Sequence, residues 1–259
     1  VKQYFESYFN VIFLSYTKAV LNIKSELSDN KMSYAWLVLE PGLFIAVYFV
    51  VFGILLNKGT DNFVEYLIVG LIPWLWFSRS VTKSSTSLIS ARNTISQIKV
   101  SKFYFVYAIA IQEAIKQGGI ILILALVHQV LVGGAVSFTI LAALMLLNFL
   151  FNVSMGLICA FVVTFVRDVR LLIPSVMRVL MYGSAIVYSI EKVPLIYHYI
   201  FDFNPIFLIV SLYRGAILNL QIDYLHYFSI LFLFTSCSVV ISHLLYIIFD
   251  EKLTREVLR

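Results

Sequence analysis

Six apolar runs, each close to the length that crosses a bilayer, alternate with polar segments along the 259 residues: 35–56, 63 to about 81, 103–132, 138–166, 171–188 and 224–249. At about 1.5 Å per residue, roughly 20 helical residues cross a hydrocarbon core of about 30 Å. The second run is the weakest, because its apolar part ends at Phe77 and Arg79 must reach back to water along its own methylenes. The pattern predicts an all-α membrane protein with six transmembrane helices.

Two segments fall outside that alternation. Residues 2–25 carry Phe5, Tyr8, Phe9, Ile12, Tyr16, Ala19 and Ile23 at helical spacing, with Lys2, Glu6, Asn10, Thr17 and Lys24 on another face. This is an amphipathic helix, suited to lie in the headgroup region with its aromatic side down, or to pack on protein. The charges in it do not fit the unbroken apolar core of a cleavable signal. Residues 193–218 are too apolar for a loop, yet Asn204-Pro205 interrupts them. Pro205 has no N–H to donate and biases Asn204 away from helical geometry, so two half-helices are expected, neither long enough to span. Irregular backbone at membrane depth survives only when buried in protein or bordering a wet cavity, which makes a re-entrant pair beside a pathway the expectation. A seventh span is the alternative, and it would carry Lys252, Arg255 and Arg259 to the outer side.

Charge orients the runs. With both termini cytoplasmic, fifteen of the nineteen Lys and Arg residues fall on the cytoplasmic side, three (Lys58, Lys192 and Arg214) fall outside, and Lys116 lies within a run. Positive charge is retained on the cytoplasmic side during insertion, so the split supports that orientation. Composition agrees: 61% hydrophobic and 13% charged residues contrast with roughly 25% charged residues in soluble domains. The chain is expected to form a single membrane domain over residues 1–259: an interfacial helix and linker (1–33), a transmembrane region (34–249) and a cytoplasmic tail (250–259). That leaves no room for a soluble catalytic domain, so any energy source belongs to another chain. The net charge of +5 suits anionic lipid better than nucleic acid.

Chemistry-bearing residues are sparse. Cys159 and Cys237 lie in apolar runs with no CxxC or His-rich surroundings, and the four histidines are dispersed, so no metal site is expected. Walker-type Gly-rich loops, HExxH and GxSxG are absent. Glu40 precedes Pro41 in the first run, and Glu113 and Lys116 stand three apart in the third. Charges at bilayer depth cost at least about 2.5–3.5 kcal/mol each and seek partners, so Glu113 and Lys116 are expected to pair on one helix face, with a substrate contact as the alternative. Aromatic residues make up 16% of the chain. Phe44, Tyr48 and Phe52 repeat every fourth residue, Trp74, Trp76 and Phe77 crowd the second run, and Tyr182 and Tyr188 mark the fifth. Such faces serve helix packing, lipid contact or a lining on which sugar rings stack. Residues 78–102, rich in Ser, Thr, Lys and Arg with interspersed Ile and Leu, read as a cytoplasmic helical element that docks a partner or covers the bundle's end.

Four segments in order resemble one family. They are Tyr34-Ala35-Trp36-Leu37-Val38-Leu39-Glu40-Pro41, then Gly70-Leu71-Ile72-Pro73-Trp74-Leu75-Trp76-Phe77-Ser78, then Arg167-Asp168 with Ser184-Ala185-Ile186-Val187-Tyr188 and Val193-Pro194, and finally Asn204-Pro205 with Leu212-Tyr213-Arg214. The series is similar to the membrane subunits of type-2 ABC exporters that move O-antigen, capsular polysaccharide or teichoic acid. Met32-Ser33, Ala185 and Ser101-Lys102 depart from that pattern.

The resemblance implies a multi-pass permease of the bacterial cytoplasmic membrane, working as two copies with two copies of a separate ABC ATPase. ATP and Mg would bind that partner, and this chain would bind no cofactor. Residues 78–102 would touch the ATPase through Arg92, Asn93 and Lys99. Asn204, Pro205 and Arg214 would belong to paired gate helices on the outer side. Phe44, Tyr48, Trp74, Tyr182 and Tyr188 become candidates for lining a channel for lipid-linked polysaccharide. An ABC exporter of drugs or other lipids shares the architecture. An intramembrane enzyme acting on lipid-linked sugars is a further alternative, which the scattered acids and histidines serve poorly.

Overall fold

In the computed structural model, residues 2–29, 33–55, 63–98, 100–133 and 136–259 are described, and among them no strand occurs. Helix α1 (Lys2–Asp29) is followed by α2 (Ser33–Tyr48), which widens into a π-helical run at Phe49–Leu55. Helix α3 (Phe63–Ser85), the short α4 (Ser87–Ser90) and α5 (Arg92–Gln97) lead to the long α6 (Phe103–Val132) and α7 (Phe138–Phe165). Then come α8 (Val169–Gly183), α9 (His198–Asp202), α10 (Pro205–Leu218), α11 (Tyr224–Ile248) and α12 (Asp250–Leu258).

Three of the described helices are long and apolar enough to cross a membrane, over Phe103–Leu131, Phe138–Phe165 and Tyr224–Ile248. The bundle centres on α7, which packs against α3, α6, α10 and α11. Without water to expel between helices, membrane bundles gain from close packing of small residues and from interhelical hydrogen bonds. Gly156 of α7 is such a contact: a Cβ there would lie 3.0 Å from Ser84 Cβ of α3. Ser154 and Ser238 join α7 to α11 at 2.7 Å, and the Tyr246 hydroxyl donates to the Leu157 carbonyl at 3.2 Å.

Residues 193–218 fold as two short helical pieces, a single-turn lead into α9 and then α10, bent by 97° at the break. Asn204 and Pro205 make that break. The Asn204 side chain accepts from the amides of Ile206 and Phe207 at 3.0 and 3.3 Å, and Pro205 occupies the first helical position, where its missing N–H costs nothing.

Several sequence expectations change in detail. The fifth run extends to residue 188 by hydropathy, but α8 stops at Gly183, because the carbonyls that follow are taken by side chains of other elements. Helix α3 continues past residue 78 to Ser85, so the helical element expected over 78–102 reduces to two short helices, and Arg79 and Lys83 belong to α3. Helix α1 lies along α6 through Val11, Ser15, Ala19, Asn22 and Glu26, spaced on one face. Ile12 and Tyr16, expected on the apolar stripe, are exposed beside Phe13 and Leu14. The face against α6 is therefore mixed, with Val11 and Ala19 beside Ser15, Asn22 and Glu26, while Asn10, Thr17 and Lys24 of the expected polar face are exposed along with these apolar side chains.

The close α3–α7 approach yields a test. Gly156→Leu drives a side chain into Ser84 and Val106, and overpacking costs about 1–3 kcal/mol. The melting temperature of the purified protein in detergent should fall, whereas Gly119→Leu, a site with no heavy atom within 4 Å of an added Cβ, should leave it nearly unchanged.

Candidate functional site

A groove of about 470 Å³ runs between α2, α3 and α8. One face of α3 supplies Leu71, Trp74, Leu75, Ser78, Arg79, Thr82 and Lys83, spaced three and four apart as a single helical stripe. Helix α8 supplies Pro174, Met177, Arg178, Met181 and Tyr182 on the same spacing, and α2 adds Phe44 and Tyr48. Near the start of α3, Tyr66 donates to the Tyr188 carbonyl beyond the end of α8, so the two helices run antiparallel. The groove is therefore aromatic at one end (Phe44, Tyr48, Trp74, Tyr182) and cationic at the other (Arg79, Lys83, Arg178).

Four of the five aromatic residues singled out from sequence meet here. Phe44 and Tyr48 stack at 6.4 Å between ring centroids with planes 15° apart. The Tyr48 hydroxyl, beside Tyr182, also donates to Met181 Sδ at 3.6 Å. Trp74 is 4% exposed and braced by Phe77 at 5.8 Å, which in turn stacks on Phe151 at 5.6 Å. Tyr182 and Phe44 stay open, at 50% and 39% exposure. Tyr188 does not line the groove; its hydroxyl donates to the Tyr182 carbonyl at 2.9 Å and so buttresses the end of α8. Met177, Met181 and the basic residues were missed. The α3 stripe was readable, since Ser78, Thr82 and Lys83 continue the face that Trp74 begins, but nothing in the sequence sets α8 opposite it.

The expected Glu113–Lys116 pair is not made. Glu113, 1% exposed, pairs with Lys83 of α3 at 2.6 Å, and Lys116 pairs with Glu26 of α1. Residues three apart diverge by about 60° around a helix, enough here for each to find a closer partner on a different neighbour. Gln112 Nε2 donates to Glu26 Oε1 at 2.6 Å, and Asn22 Nδ2 donates to Gln112 Oε1 at 3.1 Å. A line of polar contacts thus crosses from α1 through α6 to the groove wall. The Glu40 side chain and Lys99 lie outside the described residues.

Arg214 of α10 sits in the opposite end of the same framework. It is 3% exposed, and among the described residues no carboxylate pairs with it. Instead Nε donates to the Tyr66 carbonyl at 3.2 Å, Nη1 to Ala185 at 2.9 Å and Nη2 to Ile186 at 2.7 Å, with the guanidinium 3.4 Å above the Tyr66 ring. Gly70 makes the room, since a Cβ there would lie 2.5 Å from Nη2. Asn204 grips the same strip, donating to the Gly183 carbonyl at 3.1 Å and Ser184 Oγ at 3.0 Å. Asn204 and Arg214, expected on the gate helices, thus fasten the α9–α10 pair to the end of the groove helix α8.

Beyond the far end of α3, Arg92 Nη2 donates to the Leu258 carbonyl at 2.5 Å, while Asn93 is exposed. Lys102 holds the start of α12 through Asp250 Oδ1 at 2.5 Å. Leu253 and Val257 of α12 are buried in a cluster with Leu88, Phe103 and Val106. The Arg92 expected at a partner interface is therefore engaged by the C-terminal helix.

Two measurements check this geometry. Arg214→Ala removes three charge-assisted hydrogen bonds and strands their carbonyls, a loss of roughly 3 kcal/mol or more. Arg214→Lys, lacking the planar fork, should recover less than half of the lost thermal stability. In double-mutant cycles on stability, Lys83 and Glu113 should show a coupling of about 1 kcal/mol or more, and Glu113 and Lys116 one smaller by at least half.

Comparison with known proteins converges on one family. The ABC-2 type transporter family matches residues 21–218. The chain is 23% identical over 214 residues to the O-antigen export system permease protein RfbA of Klebsiella pneumoniae, covering 82% of each. Against the protein of that name from Myxococcus xanthus, identity is 27% over 77 residues, 30% of each. The polysialic acid transport protein KpsM of Escherichia coli is 23% identical over 224 residues, 82% of this chain and 86% of that one. The matched region holds the groove, the Arg214 junction and the bent α9–α10 pair, and with it the chain belongs to the ABC-2 type transporter family.

Proposed function

We propose that this chain is the membrane-spanning permease subunit of an ATP-driven exporter that moves a lipid-linked polysaccharide, of the O-antigen or capsular class, across the bacterial cytoplasmic membrane. The observation that carries the reading is the groove, in which Phe44, Tyr48, Trp74 and Tyr182 form one wall-to-wall aromatic end. Aromatic faces offer stacking surfaces that tolerate different sugars, and contacts of about 0.5–1.5 kcal/mol each are shallow enough for a long chain to advance over them. The relatives named for O-antigen export and polysialic acid transport support polysaccharide over drugs or other lipids.

In this reading the chain is a transport subunit, and a separate ABC ATPase hydrolyses ATP with Mg. Two copies of each assemble, with the groove of one permease facing the pathway between them. Helices α2, α3, α6, α7, α8 and α11 are the six spans, both termini are cytoplasmic, α1 lies at the interface, and α9–α10 form the re-entrant gate on the outer side. The exposed apolar side chains of Leu172, Val176 and Val179 on the outer face of α8 then meet lipid or the second copy. ATP favours the closed ATPase pair, and that differential affinity is what reshapes the pathway. The push arrives through α4–α5, with the exposed Asn93 at the contact and Arg92 linking it to α12, and reaches α8 and α10 together because Arg214 and Asn204 tie them.

Phe44→Ala combined with Tyr182→Ala removes exposed rings and should leave folding intact. Surface polysaccharide should drop at least about fivefold while assembly with the ATPase and its basal hydrolysis persist. Tyr182→Phe, which keeps the ring, should retain most export. Undiminished export from the double variant would remove the groove from the pathway.

A further inference from the structure

A polar seam lies inside the bundle, on the side of α3 turned away from the groove. On α3, Trp76, Ser80 and Ser84 recur every fourth residue and so share one helix face. On α7, Asn148, Asn152 and Gly156 do the same. The two faces meet, since a Cβ at Gly156 would lie 3.0 Å from Ser84 Cβ and Phe77 stacks on Phe151 at 5.6 Å. Both contacts set α3 and α7 parallel, so that one turn before Ser84 and Gly156 Ser80 is level with Asn152, and two turns before them Trp76 is level with Asn148. Helix α6 packs on both. Its Gln117 stands one turn from Glu113, which reaches Lys83 of α3, and next to Gly118, where a Cβ would meet Met145 of α7 at 3.1 Å.

All six polar side chains of the seam are buried. The Trp76 indole N–H, the Ser80 and Ser84 hydroxyls, the Asn148 carbonyl oxygen and both amide ends of Gln117 and Asn152 find no hydrogen-bond partner among the described residues. One bond does reach the seam, from Asn148 Nδ2 to the Tyr213 hydroxyl at 3.4 Å. A buried polar group left unpaired forfeits the hydrogen bonds it makes in water, and one such group already lowers stability. Polar atoms that face one another beyond direct bonding distance are the geometry that a bridging molecule fills. The character of the unpaired set decides which molecule. It holds donors, in the indole N–H and the Gln117 and Asn152 amides, as well as acceptor oxygens, and a cation satisfies oxygens alone. The neighbouring carboxylate, Glu113, is already paired with Lys83. Water donates and accepts in turn, and an enclosed water needs only about two to four polar partners.

We propose that the interface of α3, α6 and α7 binds a short file of water molecules, which bridge Trp76, Ser80 and Ser84 to Gln117, Asn148 and Asn152. Each bridge ties α3 to the centre of the bundle through a partner that can exchange. Helix α7 is joined to α11 differently, by the direct Ser154–Ser238 bond at 2.7 Å. Helix α3, which walls the groove, can therefore shift against α7 without breaking a fixed polar pair along the seam. The site does not depend on what the groove carries.

The full-length chain in lipid nanodiscs is subjected to radiolytic hydroxyl labelling, which modifies side chains that touch bound water, and each site is read by mass spectrometry. Trp76 and Tyr246 are equally enclosed, at 2% exposure, but the Tyr246 hydroxyl is already bonded to the Leu157 carbonyl. After correction for intrinsic reactivity, Trp76 should be modified at least about fivefold faster than Tyr246. Replacing seam groups by apolar ones, Ser80→Ala with Asn148→Leu and Asn152→Leu, should bring Trp76 down to the Tyr246 rate and leave the groove residue Tyr182 unchanged. Equal rates for Trp76 and Tyr246 in the wild type, or a Trp76 rate that the triple substitution does not move, overturn the proposal. A density map of the wild-type protein at a resolution that shows ordered water decides the matter without any substitution. It should hold peaks at about 2.7–3.2 Å from the Trp76 indole nitrogen and from the Gln117 and Asn152 amides. Gln117, Asn148 and Asn152 bonded directly to one another would overturn the site, as would a single peak held by oxygens alone at about 2.3–2.6 Å, the mark of a cation.

Discussion

A buried guanidinium that pairs with no acid among the described residues holds this structure's working parts in register. Arg214 is satisfied by three backbone carbonyls and one aromatic face, drawn from α3 and from the strip that follows α8. Leaving water is expensive for such a group, and only a geometry that uses its donors and its π-face together makes the arrangement stable. The consequences spread outward. Ala185 accepts a left-handed backbone, φ 50°, which costs about 1 kcal/mol for a residue with a Cβ, because its carbonyl is held by Nη1. Helix α8 must end at Gly183, and the groove it walls must end there too. Gly70 has to lack a side chain.

Asn204 adds the second grip on the same strip and simultaneously caps α10. The bent pair and the groove helix therefore form one mechanical unit. At the other end, Lys83–Glu113 and Lys116–Glu26 connect α3 through α6 to α1, and Arg92 and Lys102 connect α5 and the start of α6 to α12. A displacement applied at the α4–α5 end has routes to both walls of the groove, which suits a subunit driven by a separate ATPase.

What could be read from the residues depends on the range of the interaction involved. Local signals were legible: the Asn204-Pro205 break, the lengths of α6, α7 and α11, and the aromatic faces of α2 and α3 follow from spacing along one segment. Interactions between segments were not. Glu113 and Lys116 look like partners because three residues separate them, yet each meets a closer opposite charge on another helix. Arg214 counts as an outer-side cation by the charge rule and proves to be among the most enclosed charged groups of the described residues. Hydropathy carries the fifth run to Tyr188, and only the distant Asn204 and Arg214 side chains explain why α8 ends sooner. Arg178 belongs to the groove through the pairing of α8 with α3, which no local pattern encodes.

The central claim is that the α2–α3–α8 groove carries glycan under the power of a partner ATPase. The most direct measurement places a photocrosslinking amino acid at position 182 in the assembled permease–ATPase complex, with a second at position 172 on the opposite side of α8, and illuminates during turnover. The account predicts a ladder of captured glycan at position 182 that disappears when the ATPase is inactive, with only lipid captured at position 172. Glycan captured at 172 and absent from 182 would contradict it.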